Sequence, residues 1–334
     1  MPPSRRATTM AKVTMVEAIT MAMAHELEND PSVVVLGEDV GVNGGVFRAT
    51  AGLQQRFGKD RVMDTPLAEA LIAGISIGMA AQGMKPVAEI QFSGFIYPTV
   101  DQMINHAGRL RTRTRGRLHV PMVLRAPSGG GIHAPEHHSE SNEAMFAHMP
   151  GIRTVMPSSP SRAYGLLLAA IRDPDPVVFL EPTRLYRLNK QEVEDNGEAL
   201  PLDTCFVLRE GDDVTLVSWG AMIHETLQAA AKLAEEGIGC EVIDLATVSP
   251  IDFETILESV EKTGRLVIIH EAPKNCGVGA EIAATVAERG IYSLKAPIER
   301  VTGYDIPMPL FKLEHDYMPS VDRVIKGIRK VLED

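Results

Sequence analysis

The stretch DTPLAEALIAGISIGMAAQGMKPVAEIQFSGF (64–95) decides how the chain is read. Asp64 and Thr65 are N-cap residue types, Pro66 suits a first helical position and Gly83 a stop, which predicts a helix over 67–82. Glu69 is its one ionisable residue. The other positions are Leu, Ile, Met, Ala, Gly, Ser and a terminal Gln82, so no face is charged and burial nearly all round is expected. A buried carboxylate is costly unless compensated, although a helix N-terminus favours negative charge. Two readings of Glu69 are open: a helix-start glutamate bonding back to free backbone N–H groups, or a carboxylate held away from water to exchange a proton with a ligand. The apolar run PVAEIQF that follows predicts a strand with Glu89 inside it.

Upstream, helical spacing over 14–29 ends at Asp30-Pro31, and SVVVLGED reads as a buried strand with Glu38 and Asp39 just past its end. Ends of parallel strands are where α/β proteins place ligands. Downstream come a helix over 98–110, a strand VPMVLRAP (120–127), the loop SGGGIHAPEHHSES (128–141), a strand IRTVMP, a helix SPSRAYGLLLAAIRD and a strand PVVFLEP. This alternation predicts an α/β fold with a largely parallel sheet covered on both faces. The pattern lapses in NKQEVEDNGEALPLD (189–203) and then resumes with VTLVSWG, CEVIDL, RLVIIHE and IERVTG, each separated by a helix, and a last amphipathic helix fills 320–333. The expected organisation is a disordered tail at 1–12, a first domain at 13–188, a linker at 189–204 and a second domain at 205–334, both domains three-layer αβα.

A length of 334 residues allows two cores, and 45% hydrophobic with 23% charged residues is ordinary globular composition. The formal net charge of −11 argues against nucleic acid or a membrane surface as partner. One basic run, RLRTRTRGR (109–117), reads as a solvated or interface surface. Cys205, Cys240 and Cys276 show no pairing or zinc-like spacing, which suits a reducing compartment. MPPSRRATTMAK has no apolar run behind its arginines and no stretch reaches membrane-spanning length, so a cytoplasmic protein is expected.

The loop at 128–141 holds His133, His137 and His138 with Glu136 and Glu140. Their spacing matches no helical zinc pair and no cysteine supports a metal. A histidine placed over a cleft for proton transfer or substrate orientation is one reading, and exposed loop histidines are the other. GVGAE (277–281) lacks the third glycine of a dinucleotide fingerprint, and no phosphate-binding GxxxxGK[ST] occurs.

GEDVGVNGGVFRAT (37–50), DTPLAE (64–69), EIQFSGFIYP (89–98), GGGIHAPEHHSES (129–141), DPVVFLEPTRLYR (175–187) and APIERVTGYDIPMP (296–309) together resemble the β subunits of thiamine-diphosphate-dependent 2-oxoacid dehydrogenases, the decarboxylating component of the pyruvate and branched-chain complexes. The resemblance spans residues 12–334 in order. It implies a pyrimidine-binding domain followed by a transketolase C-terminal-type domain, in an α2β2 heterotetramer. It gives Glu69 the bond to a ring nitrogen of the cofactor's aminopyrimidine, shifting that ring to the imino form that takes a proton from the thiazolium carbon. It places Phe95 in stacking contact with the pyrimidine, Leu67 and Gln91 in the pocket wall, and His138 at the active-site histidine used in substrate handling and transfer to lipoamide. Glu38 and Glu89 match acids with a proposed relay role between paired sites. A structural potassium ion is implied near Met122, Ala170, Ile171, Asp173 and Asp175.

The glycine-aspartate-glycine motif and distant asparagine that hold magnesium and diphosphate are missing, and GDD (211–213) is no substitute. The resemblance therefore puts the diphosphate and magnesium on the α subunit and makes this chain inactive alone. Pyruvate is the expected 2-oxoacid, from FSGFIY and HAPEHH, while FLEPTRLYR leans to the branched-chain type. The expected partners are the α subunit and the peripheral subunit-binding and lipoyl domains of the acyltransferase. Acetoin dehydrogenase remains open, as does a non-catalytic scaffold, against which Glu69, Phe95 and His138 speak.

Overall fold

The computed structural model describes residues 10–333. Its strands are β1 (Met10–Val13), β2 (Val33–Gly37), β3 (Val62–Asp64), β4 (Lys85–Glu89), β5 (Val123–Ser128), β6 (Arg153–Val155), β7 (Val177–Pro182), β8 (Gln191–Glu194), β9 (Phe206–Arg209), β10 (Val214–Ser218), β11 (Cys240–Asp244), β12 (Thr247–Ser249), β13 (Leu266–Pro273) and β14 (Glu299–Gly303). Continuous apolar runs such as VVVLG and VTLVS are buried along their whole length, as strands in a sheet covered on both faces must be. The first sheet has seven strands in the order β12-β6-β7-β5-β4-β2-β3, parallel except for β12. The second has five, β14-β13-β10-β11-β9, parallel except for β9. Two α/β domains, as expected, thus build the chain.

Helix starts follow local chemistry where the cap residue is free. Thr14 and Glu17 form a capping box before helix Met15–Asn29, Ser159 caps helix Pro160–Arg172 with Pro160 in its first turn, and Asp252 caps Phe253–Thr263. Met15–Asn29 and Pro160–Arg172 pack together on one face of the first sheet, and the former buries Met15, Ile19, Met23 and Leu27 there. Each such side chain contributes roughly 1.5–3 kcal/mol.

The structure departs from the sequence reading in four places. The helix expected over 67–82 is Glu69–Ala81, with Ala68 as its N-cap and no side-chain cap bond. Asp64 and Thr65 are committed elsewhere: the Asp64 carboxylate accepts from the Gly41 N–H at 2.7 Å, and the Thr65 N–H donates to the Gly37 carbonyl at 2.9 Å. The helix is also not buried all round. Ile72, Ala73, Ser76, Ile77 and Ala80 face the core, while Leu71 (45% exposed) and Ile75 (37%) open to solvent, with Leu67 at 78% beside them. An apolar face without a cover in one chain is what an intersubunit helix would show.

Residues 10–12, assigned to a disordered tail, belong to β1, and the stretch read as a linker supplies β8, its antiparallel partner. Their polar sequences hid them because only Val13 and Val193 turn inward. Residues 1–9 lie outside the described part. Finally, β12 comes from the second half of the chain yet pairs with β6 on the edge of the first sheet.

Candidate active site

The carboxyl ends of β2, β3, β4, β5 and β7 lie along one edge of the first sheet, because Gly37 is in register with both Asp64 and Glu89, and Ser128 with Pro182. Glu38 follows β2 directly, and Glu89 is the last residue of β4. Glu69 opens its helix as the first residue. Its carboxylate has no hydrogen-bond or ion-pair partner among the described residues, so it does not act as a helix cap. That removes the plainer of the two readings of Glu69, while the other asked for a carboxylate held away from water and Glu69 is half-buried in this chain.

Glu38 is 7% exposed and its Oε1 is buried without a partner. Burial pushes its pKa up, and the charges of Glu69, Asp39 and Glu89 push the same way. Glu69 and Glu89 therefore both act on Glu38 electrostatically. Glu89 belongs to a second, tighter group. Arg125, fully buried on β5, donates from Nε and Nη2 to the two carboxylate oxygens of Glu181 at 2.7 Å each, and from Nη1 to Glu89. The Tyr186 hydroxyl also donates to Glu181. Burial raises the pKa of Glu89 against the opposing pull of Arg125. Arg125 and Glu181 are absent from the sequence reading.

Beyond β4 a tight turn, Ser93–Phe95, carries Phe95. His138 packs edge-on to Phe92 and Phe95, with ring centroids 4.5 and 5.1 Å away. Its Nδ1 lies 2.8 Å from the Glu136 carbonyl and so donates to it, which leaves Nε2 without a hydrogen bond among the described residues. The ring cluster continues through Phe47 to Tyr186. Phe95 and Gln91 are half-buried, whereas Leu67 is exposed, so its side chain meets no wall within this chain.

The histidine loop is held on both sides. Toward the first domain, the Glu140 carbonyl accepts from Ser93 Oγ (2.8 Å), Ser128 Oγ (3.2 Å) and the Gly129 N–H (2.9 Å), and Asn142 donates to the Ser93 carbonyl at 2.8 Å. A Cβ on Gly94 would sit 1.7 Å from the His137 carbonyl oxygen, so only glycine lets the loop descend this far. Toward the second domain, Glu271 on β13 and Glu314 accept from loop donors. His133 meets His315 and Glu314, away from His138. The three loop histidines do not form one cluster.

At the positions expected to hold potassium, the Met122 carbonyl already accepts from the Val177 N–H at 3.0 Å. Ala170 and Ile171 lie in the last turn of their helix, where carbonyls lack helical partners. The Asp173 carboxylate takes Arg153 at 3.2 Å and the Asp175 N–H at 2.8 Å, and Asp175 pairs with Arg111. The chain's own arginines already balance both acids, so carboxylate ligation of a cation here does not fit without displacing one. A cleft of about 880 Å³ near His148, Ser249, Phe253 and Val278 contains none of the expected site residues.

Comparison with known proteins places this arrangement. Residues 11–189 match the family described as transketolase, pyrimidine binding domain, and residues 203–324 the transketolase C-terminal domain. Over 324 residues the chain is 50% identical to the pyruvate dehydrogenase E1 component subunit beta of Bacillus subtilis, covering 97% of this chain and all of that one. The chain belongs to the E1 β-subunit family. The E1 β subunit of Acholeplasma laidlawii is likewise 50% identical over 322 residues, covering 96% of this chain and 98% of that one. A solved split-gene transketolase, an inactive β4 tetramer, shares the fold of this E1 β-family chain with a TM-score of 0.78 at 22% identity, over 97% of this chain and 99% of that one. The E1 β family is thiamine-diphosphate-dependent and of oxidoreductase type. Among the described residues, no helix is long and apolar enough to cross a membrane.

The residues present are of kinds that suit the aminopyrimidine ring of that cofactor. An unpartnered carboxylate, the orphaned Glu38 oxygen and a half-buried aromatic ring supply the hydrogen-bonding and stacking groups such a ring needs.

Proposed function

We propose that this chain is the β half of a pyruvate-decarboxylating α2β2 enzyme, acting in the cytoplasm with thiamine diphosphate shared between the chains. When bound, the cofactor supplies the electron sink that decarboxylation requires. Glu69 holds a proton at a ring nitrogen of the aminopyrimidine. The observation carrying this role is the carboxylate left unpartnered at the mouth of an otherwise apolar helix. Phe95 stacks on the ring, and Gln91 and Leu67 close its pocket once the exposed Leu67 face is covered by another chain.

His138 offers its free Nε2 to the substrate and to the acyl group leaving for a lipoyl domain, and the bond from Nδ1 to the Glu136 carbonyl holds the ring in place. Glu38 and Glu89, whose pKa values burial pushes up, are the acids through which a proton passes between sites. The α subunit brings the magnesium and diphosphate contacts. The second domain receives the peripheral subunit-binding domain of the acyltransferase. A potassium ion, if bound, would rest on carbonyls alone, and no step depends on it.

The split site is tested by titrating thiamine diphosphate with magnesium into the isolated chain and into the reconstituted tetramer. No appreciable binding to the isolated chain, and binding after the α subunit is added, is expected. Tight binding to the isolated chain rejects the shared site. Turnover by the tetramer should favour pyruvate over 3-methyl-2-oxobutanoate, and the reverse order assigns the branched-chain substrate.

A further inference from the structure

Gly129, Gly130 and Gly131 resemble an anion cradle, and their surroundings explain all three. A Cβ would lie 2.0 Å from Glu271 Oε1 at Gly129, 2.4 Å from the Met308 Cε at Gly130 and 2.4 Å from the Arg184 Cδ at Gly131. Gly129 and Gly131 also have φ of +84° and +82°. The triplet is a socket filled by the protein itself, with two carboxylates of the second domain seated in it. Glu271 Oε1 accepts from the Gly130 N–H at 3.2 Å and from Ser141 Oγ at 2.8 Å, tying the two ends of the loop together. Glu314 Oε1 accepts from the Gly131 N–H at 2.7 Å, and Oε2 from the His133 N–H at 3.0 Å. Successive N–H groups gripping an anion form the backbone nest that other proteins use for ligands.

Both acids are buried, and Arg184, paired with Glu225, supplies the nearby positive charge. The loop between these anchors does not hold its shape through local preference. His133 and His137 have φ of 52° and 73°, a strained region for their residue type that the surroundings must enforce. Those surroundings are Gly94 and Glu140 on one side and Glu271 and Glu314 on the other. His138 lies between the two sets of anchors.

We propose that Glu271 and Glu314 are positioning residues of the second domain that set His138 against Phe92 and Phe95. This builds on the role given to His138 above. A shift of the second domain relative to the first would then reach the histidine through two carboxylates and the loop they hold.

The test uses the reconstituted tetramer with lipoyl domain as acceptor. Glu314→Ala should lower kcat for acyl transfer at least tenfold with KM for pyruvate within twofold, and Glu314→Gln, which keeps one acceptor, should recover part of the loss. In a His138→Ala background Glu314→Ala should cost less than twofold more, because it acts through a side chain already removed. An unchanged kcat, or a full tenfold loss on top of His138→Ala, overturns the proposal. Should Glu314→Ala fail to assemble, Glu314→Gln and Glu271→Gln carry the same double-mutant comparison at a smaller drop. If His138→Ala alone proves fully active, the role of His138 is what fails. The clamp is then judged by amide hydrogen exchange at 130–133, where faster exchange in Glu314→Gln supports it and unchanged exchange overturns it.

Discussion

Replacing Arg125 with methionine removes the cation that Glu89 and Glu181 share while keeping the volume of the side chain. Arg125 is completely buried, Glu181 is too, and Glu89 is 3% exposed, so no water can take the place of the guanidinium. Four charged or polar contacts converge here: two from Arg125 to Glu181, one to Glu89, and one from Tyr186 to Glu181. Breaking a buried ion group on one side costs about 3–5 kcal/mol, since the surviving charges stay buried. For a domain of this size that lowers the melting midpoint by roughly 10 °C. The loss should depend on pH. Without Arg125 the pull that opposes burial at Glu89 is gone, so its carboxyl is protonated more readily folded than unfolded, and stability is fullest below the ordinary carboxylate range and falls as pH rises through its raised folded value. Calorimetric unfolding of Arg125→Met and wild type at pH 5 and pH 8 should show the larger deficit at pH 8. The triple variant Arg125→Met, Glu89→Gln, Glu181→Gln should recover at least half of it. A deficit under about 1 kcal/mol at pH 8, or one equal at both pH values, would refute the argument.

Glu69→Gln should assemble with the α subunit yet nearly abolish decarboxylation, and near-normal turnover with an artificial electron acceptor would count against Glu69 as the proton holder. Gly94→Ala would set a Cβ 1.7 Å from the His137 carbonyl oxygen and so force the two apart. It should raise protease cleavage within 128–141 and reduce acyl transfer; intact loop and activity would show that the backbone yields at no cost. Burial moves the Glu271 carboxyl up to about 7 from an ordinary 4.5, with Arg184 and the loop donors opposing and Glu143 adding to the rise. The folded chain therefore binds this proton more tightly than the unfolded one, and stability should fall as pH rises from about 4.5 to about 7. Glu271→Gln should flatten that part of the slope, leaving the part due to Asp244, which burial raises to about 6. An unchanged slope in denaturant unfolding would remove Glu271 from the account.

The strands were legible because a sheet covered on both faces demands continuous apolar runs, and VVVLG or VTLVS can be little else. Glu69 was legible for the opposite reason, as one charge in a helix with no other. What escaped depends on distance along the chain. Arg125 finds Glu89 and Glu181 at 36 and 56 residues' separation, and Glu314 reaches Gly131 across 183, so no window of sequence contains both partners. The misplaced helix start has the same origin: Asp64 looked like a cap, but Gly41, 23 residues earlier, had already taken its carboxylate. The three glycines at 129–131 were visible, while the carboxylates that explain them were not.

The short strand Thr247–Ser249 has a practical consequence. It seals the edge of the first sheet against Arg153–Val155, and the Met156 N–H donates to the Ala246 carbonyl at 2.8 Å beside it. Cutting the chain in the polar segment after residue 188 would therefore not release two tidy halves. The amino-terminal piece would carry a bare β6 edge, ready to recruit a strand from a neighbouring copy. Anyone expressing the first domain by itself should supply residues 245–250 in trans, or expect sheet-to-sheet aggregation from that uncovered edge.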